Sequence, residues 1–203
     1  MEGQRRRDGS GFHGMSPWVP PTLETERLSI RPLHVTDLAA VQNYVTSYSA
    51  ERYGIWLGGT DPDSVARYIA DTASRYGRPP RCDLGITIRG RDIPNLPAGQ
   101  LIGGIAFRQV WINPPAMELG WVIHPSASGN GLAGEAISAL KEHLLETWPT
   151  LVRLEARVLA SHEGAKKLLE RQGFEAEGIL RSGVGEDGHP ADGVLYSCLR
   201  RNH

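Results

Sequence analysis

Cysteine is nearly absent from this chain. Cys82 and Cys198 are the only two in 203 residues, and they lie too far apart for a C-x-x-C. That excludes a zinc knuckle, a thioredoxin-like motif and a disulfide-stapled secreted domain, and reduced thiols in a cytoplasmic protein are the expected setting. Long apolar runs are missing as well, and the opening MEGQRRRDGSGFHGM has charges without an apolar h-region, so neither a membrane span nor a secretory leader is expected. Nor is there an excess of one charge. Lys and Arg number 22 against 23 Asp and Glu, for a net charge of -1 and a pI of about 6.7, which gives no electrostatic reason to expect nucleic acid or an anionic membrane as partner. Seven histidines occur without an H-E-x-x-H or another paired ligand spacing, so no metal is expected.

With 40% hydrophobic residues, the chain is long enough for one domain with its own core. Met1 to Pro21 is rich in Arg, Gly, Ser and Pro and has no hydrophobic period. Residues 1–21 are therefore expected to be a disordered tail, with Arg5-Arg6-Arg7 as a solvated charge run, and residues 22–203 a single domain. ERLSIRPL alternates as a strand, and Thr36 is placed as the N-cap of a helix carrying Leu38, Val41 and Val45. A second helix is expected from Asp61-Pro62 through Val65, Tyr68, Ile69 and Thr72 to a stop near Gly77.

DLGITIRG and QLIGGIAFRQV read as a hairpin and MELGWVI as the next strand. GLAGEAISALKEHLLETW places Ala133, Ile137, Leu140, Leu144 and Trp148 on one helical face, closed by Pro149. A strand over Leu151–Leu159 and a helix over Gly164–Gln172, stopped by Gly173, come next; strands Glu175–Arg181 and Gly193–Arg200 then flank GEDGHP. This order predicts an α/β (α+β) mixed sheet with helices on its faces.

Ser128 to Ala136 reads SGNGLAGEA, in which GNGLAG matches G-x-G-x-x-G. A dinucleotide fingerprint needs a buried strand running almost directly into its first glycine, near the start of a series of βαβ units. Here HPSAS intervenes and too little chain remains for a doubly wound sheet, although Glu155, about 20 residues on, keeps that reading open. The physical inference is broader. A glycine-rich turn opening a helix offers a phosphate free N–H groups and the positive end of the helix dipole. The alternative is that Gly129, Gly131 and Gly134 only permit a tight turn and close helix packing.

MELGWVIHPSASGNGLAGEAISAL, followed by VRLEARVLASHEGAKKLLERQGFEAEGILR, resembles the acyl-CoA-binding half of the GNAT superfamily N-acetyltransferases and is similar to their RimJ/RimL-like branch. ETERLSIRPLHVTDL is similar to the opening strand and helix of that branch, so the likeness runs from about Leu23 to Arg200. The resemblance implies a GNAT-type fold, a six- or seven-stranded mixed sheet whose fourth and fifth strands splay apart to admit the pantetheine arm of acetyl-CoA. The family's phosphate loop, Q/R-x-x-G-x-G/A, falls on Ser128, Gly129, Asn130, Gly131, Leu132 and Ala133. These residues, with Gly134, are the implied cosubstrate loop, Ser128 standing where the family has Gln or Arg. The family's N-x-x-S falls on His162-Glu163-Gly164-Ala165 ahead of Gly173-Phe174; His162 retains hydrogen-bonding capacity and Ala165 does not.

Moving an acetyl group from a thioester to an amine requires a neutral amine, donors facing the developing oxyanion, and a proton for the thiolate. Glu118 is the first candidate for general base, its alternative being a solvated strand residue. Backbone N–H groups near Val122 and Ile123 are the expected oxyanion and pantetheine donors. Glu155 is the second carboxylate, its alternative being a surface ion pair with Arg153 or Arg157. The family's tyrosine acid falls on Leu169, which leaves Tyr196 and Cys198 as substitutes, each equally well read as a packed strand residue. Trp56, in RYGIWLGG, lies in the segment that borders the acceptor site in the proteins this chain resembles. The reading is acetyl-CoA-dependent transfer to a primary amine, on a small molecule or a protein N-terminus, in a ternary complex. Two other classes stay open: an acyl-CoA-binding sensor or interaction module that has lost catalysis, suggested by Ser128, His162 and Ala165, and a dinucleotide-binding domain.

Overall fold

A computed structural model describes residues 19–47, 60–75, 81–90, 93, 95–186 and 189–200. Trp18, Trp56, Gly77 and the Arg5–Arg7 cluster lie outside these residues. Eight strands form one sheet: β1 (Leu23–Glu24), β2 (Leu28–Pro32), β3 (Arg81–Ile88), β4 (Leu101–Trp111), β5 (Ala116–Ile123), β6 (Arg153–Leu159), β7 (Glu175–Glu186) and β8 (His189–Leu199). Their order is β1-β2-β3-β4-β5-β6-β8-β7. Seven of them are the strands read from the alternation, and the eighth, β1, has two residues, too few to show a period. The helices are α1 (Leu38–Val45), α2 (Pro62–Arg75), α3 (Leu132–Thr147) and α4 (Glu163–Arg171). None is long and apolar enough to cross a membrane among the described residues.

Every neighbouring pair is antiparallel except β5 and β6, which run parallel. A parallel pair needs a crossover, and α3 supplies it. One face of the sheet is apolar: Leu28, Ile30, Leu84, Ile86, Ile105, Phe107, Met117, Leu119, Leu154 and Ala156 join Ile137, Leu140 and Leu144 of α3 and Leu169 of α4 in a single core. On the other face α1 and α2 build a smaller cluster from Leu33, Val41, Tyr44, Val45, Val65, Ile69 and Leu101.

Two local expectations change. Thr36 does not cap α1. A 3-10 turn over Val35–Asp37 precedes the helix, and the Asp37 carboxylate accepts the His34 N–H at 2.8 Å and two Arg31 nitrogens at 2.8 and 2.9 Å. The Asp37 carboxyl loses hydration on burial, which by itself would raise its pKa, but hydrogen bonds from Arg31 and His34 hold it below the ordinary value. The final hairpin also extends beyond its expected strands, pairing through Glu186 and His189 with register shifts that include the Leu180/Val184 region.

The turn from β1 into β2 is bound to the start of α3 through Glu135. Its Oε1 accepts the Thr25 hydroxyl at 2.5 Å and the Arg27 backbone N–H at 2.9 Å. Its Oε2 takes Arg27 Nε and Nη2, each at 2.7 Å. Arg27 Nη1 then reaches the Asn130 carbonyl at 2.9 Å, so one guanidinium links the sheet edge, the helix and the loop ahead of the helix.

Desolvation would raise the Glu135 pKa, but the hydrogen bonds from Thr25 and Arg27 outweigh it and hold the carboxyl below its ordinary 4.5. A carboxyl depressed in the folded state stabilises above its unfolded pKa and loses that contribution as pH falls through the folded one. Glu135→Gln should cost about 1–3 kcal/mol at neutral pH, or about 2–4 °C of melting temperature per kcal/mol. The gap to wild type should close between about pH 5 and pH 3. Melting curves of both proteins across that window are the check, and a gap independent of pH would refute the clamp's charge-dependent role.

Candidate functional site

β5 and β6 pair only over four rungs, Ala116–Leu119 against Arg153–Ala156. Past that point β5 stays with β4 as far as Ile123↔Gly103, while β6 stays with β8 as far as Leu159↔Gly193. The two parallel strands therefore part at their carboxyl ends, where the segments leading to the N-termini of α3 and α4 also begin. The His124 N–H donates to Ile102 O at 2.7 Å, and a Cβ on Gly103 would lie 2.1 Å from the Val122 carbonyl. Backbone groups alternate along a strand, so Val122 turns its backbone toward β4, and Trp121 and Ile123 turn theirs toward the gap. Of the two expected donors, Ile123 faces the opening and Val122 does not; Trp121 is the second one that does.

Between β5 and α3 the chain makes a 3-10 turn over Pro125–Ala127, in which the Ser128 N–H is held by Pro125 O at 3.1 Å. Gly129 and Gly131 follow at φ +82° and +77°, a left-handed conformation that favours glycine. A Cβ at Gly129 would meet nothing within 4 Å, and one at Gly131 would meet only the Arg27 guanidinium, at 3.6 Å, so the space beside the loop is open. The N–H groups of Gly129, Asn130 and Gly131 have no acceptor among the described residues. The first helical bond runs from Glu135 N to Gly131 O at 3.1 Å, so the N–H groups of Leu132, Ala133 and Gly134 have no acceptor inside the helix. The Leu132 side chain lies in the core. Gly134 packs against α4, where a Cβ would sit 3.0 Å from Gln172 Nε2 and 3.3 Å from Leu168 Cδ1. His162 occupies the N-cap of α4, at the same end of the sheet as the loop.

Glu118 and Glu155 are direct partners across the parallel pair, so both carboxylates project from the face opposite the main core. Both are buried, at 5% and 3% exposure, and the solvated-strand alternative for Glu118 is thereby removed. Glu155 does pair with Arg153, as one reading had it, but as a buried carboxylate: Arg153 Nε lies 2.6 Å from its Oε1. Arg157 turns instead to Glu118 Oε2, at 3.7 Å, the same oxygen that accepts Arg108 Nη2 at 2.8 Å. Glu118 Oε1 accepts no hydrogen bond among the described residues. Arg153 also grips Glu177 through two nitrogens at 2.5 and 2.6 Å, and Ser197 adds a third bond at 2.6 Å. Arg153 first and Ser197 second hold the Glu177 carboxyl down to about 2.

The next rung toward the gap is Ala106↔Gly120, and the Gly104↔Val122 rung follows. The floor beside Glu118 thus carries almost no side chain on β4 or at Gly120. The Tyr44 hydroxyl closes in above it, 3.2 Å from where a Gly104 Cβ would be, and burial raises the Tyr44 pKa. Tyr196, offered as a possible acid, lies on the core face at 2% exposure and bonds Glu170 Oε1 at 3.1 Å. Ala165 is buried in the core. Cys198, on β8, is part-buried and packs against the same core.

The sequence does not single out Arg27, Glu135 or Arg108, and of the two arginines it offers to Glu155, Arg153 takes that place while Arg157 faces Glu118. Arg27 lies inside ETERLSIRPL, but its partners are more than 100 residues away, and no local pattern encodes that distance. No group of three or more His, Cys, Asp or Glu residues is placed to hold a metal among the described residues.

Residues 27–175 match the family described as "Acetyltransferase (GNAT) domain". The chain is 28% identical over 183 residues to the uncharacterized N-acetyltransferase YoaA of Bacillus subtilis, covering 89% of this chain and 97% of that protein. Among solved structures it shares its fold with Mycobacterium smegmatis RimJ in complex with CoA-disulfide (TM-score 0.73, 18% identity, 93% of this chain and 88% of that one). It shares it also with RimL, a ribosomal L7/L12 alpha-N-protein acetyltransferase in complex with coenzyme A (TM-score 0.73, 16% identity, 89% and 97%). With a single parallel pair in its sheet, the fold has no room for a doubly wound dinucleotide domain, and the chain belongs to the GNAT acetyltransferase family.

Proposed function

We propose that this GNAT enzyme transfers the acetyl group of acetyl-CoA directly to a primary amine, with Glu118 as the general base. The observation that carries this reading is the position of Glu118. It is buried, has one oxygen without a hydrogen-bond partner among the described residues, and stands on the last rungs before β5 and β6 part, beside a floor of Ala106 and Gly120. Acetyl-CoA brings the activated acyl group, as its thioester.

The chain's own groups fit that cosubstrate. The N–H groups of Gly129, Asn130 and Gly131 and the first turn of α3 suit its pyrophosphate. The N–H groups of Trp121 and Ile123 suit the carbonyls of its pantetheine arm and the thioester oxygen. Glu118 Oε1 takes a proton from the attacking ammonium, directly or through one water. Arg108 and Arg157 hold the other oxygen and fix the carboxylate's orientation. Glu155, bound by Arg153, is the positioning neighbour in this scheme. The amine enters on the α1–α2 face, opposite the main core. RimL's action on a protein N-terminus makes peptide amines part of the acceptor panel here.

A second reading, an acyl-CoA-binding sensor without turnover, draws on Ala165 and Tyr196, which leave the thiolate without a side-chain acid at those positions.

Acetyl-CoA should raise the melting temperature at concentrations where NAD has no effect, because a ligand that binds only the native state shifts the folding equilibrium. Gly131→Val should abolish the shift, since a branched residue resists the +77° φ at this position. An equal shift by NAD, or a full shift in the folded variant, would count against the loop assignment.

Glu118→Gln should retain the acetyl-CoA shift while turnover falls about 10²–10⁴-fold, and the loss should shrink at high pH, where solvent supplies neutral amine. A pH series of acetyl transfer on wild type, Glu118→Gln and Glu155→Gln decides the assignment. A pH-dependent loss confined to Glu155→Gln would move the base to the neighbouring strand. Acetyl-CoA binding without transfer to any amine would favour the sensor.

A further inference from the structure

We infer that the acceptor amine carries a carboxylate close to its nitrogen, and that Arg108 and Arg157 bind that carboxylate. The inference rests on the proposed base and extends it to the substrate. Charge on the face beside Glu118 falls into three adjoining groups, of which the Arg81–Asp83 pair on β3, at 3.1 Å, balances itself, and the other two do not. Arg108 and Arg157 both approach Glu118 Oε2, at 2.8 and 3.7 Å, and leave this group one positive charge in excess. Across the Glu118↔Glu155 rung, Arg153 serves both Glu155 and Glu177, and that group is one negative charge in excess. A molecule bearing an ammonium and a carboxylate side by side matches this pattern. A plain amine matches only half of it.

The two arginines also have donors to spare. Arg108 spends only Nη2 on Glu118, and Arg157 makes an ion pair with Glu118 at 3.7 Å, beyond hydrogen-bond distance. Their side chains are 44% and 37% exposed, whereas Arg153 is 18% exposed, with three nitrogens engaged. Guanidinium groups with free, forked donors are well suited to carboxylates. Arg108 is the register partner of Glu118, and Arg157 lies one residue past the last paired rung, so they flank the base and the entrance to the gap. An anion held there sets its neighbouring amine beside Glu118 Oε1. The carboxylate has two possible sources: the α-carboxylate of a free amino acid, or the side chain of an N-terminal Asp or Glu in a peptide.

The test uses the full chain and matched acceptors: alanine against alaninamide, and the amidated tripeptides Asp-Ala-Ala against Asn-Ala-Ala. In at least one pair the carboxylate member should have the higher kcat/KM by about 10- to 100-fold, the range of one charge-assisted hydrogen bond, and which pair shows it identifies the source. Arg108→Gln and Arg157→Gln should move that ratio toward one while the KM for acetyl-CoA stays put; Arg157→Lys should restore part of the ratio. Equal kcat/KM within both pairs, or a ratio unchanged in both glutamine variants, overturns the inference. If wild type acetylates none of the four, the base assignment fails separately. Calorimetry on the CoA-loaded protein then decides the carboxylate site: tighter binding of one carboxylate member, lost in Arg157→Gln, supports it, and no difference within either pair overturns it.

Discussion

Four rungs of parallel pairing between β5 and β6 determine where the rest of the site falls. Parallel neighbours must be joined by a crossover, which puts α3 on the apolar face and its N-terminus at the end where β5 finishes. The chain leaves β6 at that same end to start α4. When the pair opens after Leu119 and Ala156, the gap is therefore bordered by a glycine-rich turn at one helix start and by His162 at another. Ligands in open α/β sheets gather at the carboxyl ends of strands for this topological reason. Among the described residues the opening sits next to the only parallel pair, so Glu118 and Glu155, one rung before its end, are the carboxylates that flank it.

The two faces of the sheet solve different problems. Alternation sends Met117, Leu119, Leu154 and Ala156 into a core that α3 and α4 close. The same alternation sends Glu118 and Glu155 to the other face, where both lose most of their contact with water. Burial of two adjacent carboxylates is unfavourable unless cations and hydrogen bonds accompany them. Arg108, Arg153 and Arg157 do so, and Arg153 is in turn shared with Glu177. Apolar residues of similar volume would give such a face equal or greater stability.

Much of this could be read in the sequence where the information is local. Period-two alternation located seven strands, and the apolar stripe of Ile137, Leu140 and Leu144 located α3. The glycines at 129 and 131 marked the loop because left-handed backbone leaves few other choices. Legibility ended where partners are distant in sequence. MELGWVI showed that Glu118 faces away from Met117 and Leu119, but the arginines that accompany it come from β4 and β6. ETERLSIRPL showed a strand, yet Arg27 acts by reaching Glu135 and Asn130, more than 100 residues further along the chain. Thr36 has a capping side chain, but Asp37 receives both Arg31 and the His34 N–H and so takes over the helix entry.

Opening a sheet in its middle leaves backbone donors and acceptors on both inner edges without strand partners, which a folded chain tolerates only where water or a ligand meets them. Trp121 and Ile123 on β5 face such an edge. An extended ligand with amide groups of its own can take the place of the missing strand, exchanging main-chain hydrogen bonds as an added strand does. Affinity from that edge depends little on side chains, which agrees with a loop that presents N–H groups from Gly129 and Gly131 and carries Ser128 where the family has Gln or Arg. Side chains are then free to act on the acceptor face. Among the described residues, Arg27 is fixed by its hydrogen bonds to Glu135 and Asn130 beside the proposed phosphate end, while the less engaged guanidiniums of Arg108 and Arg157 stand on the side proposed for the amine, where one acceptor would be told apart from another.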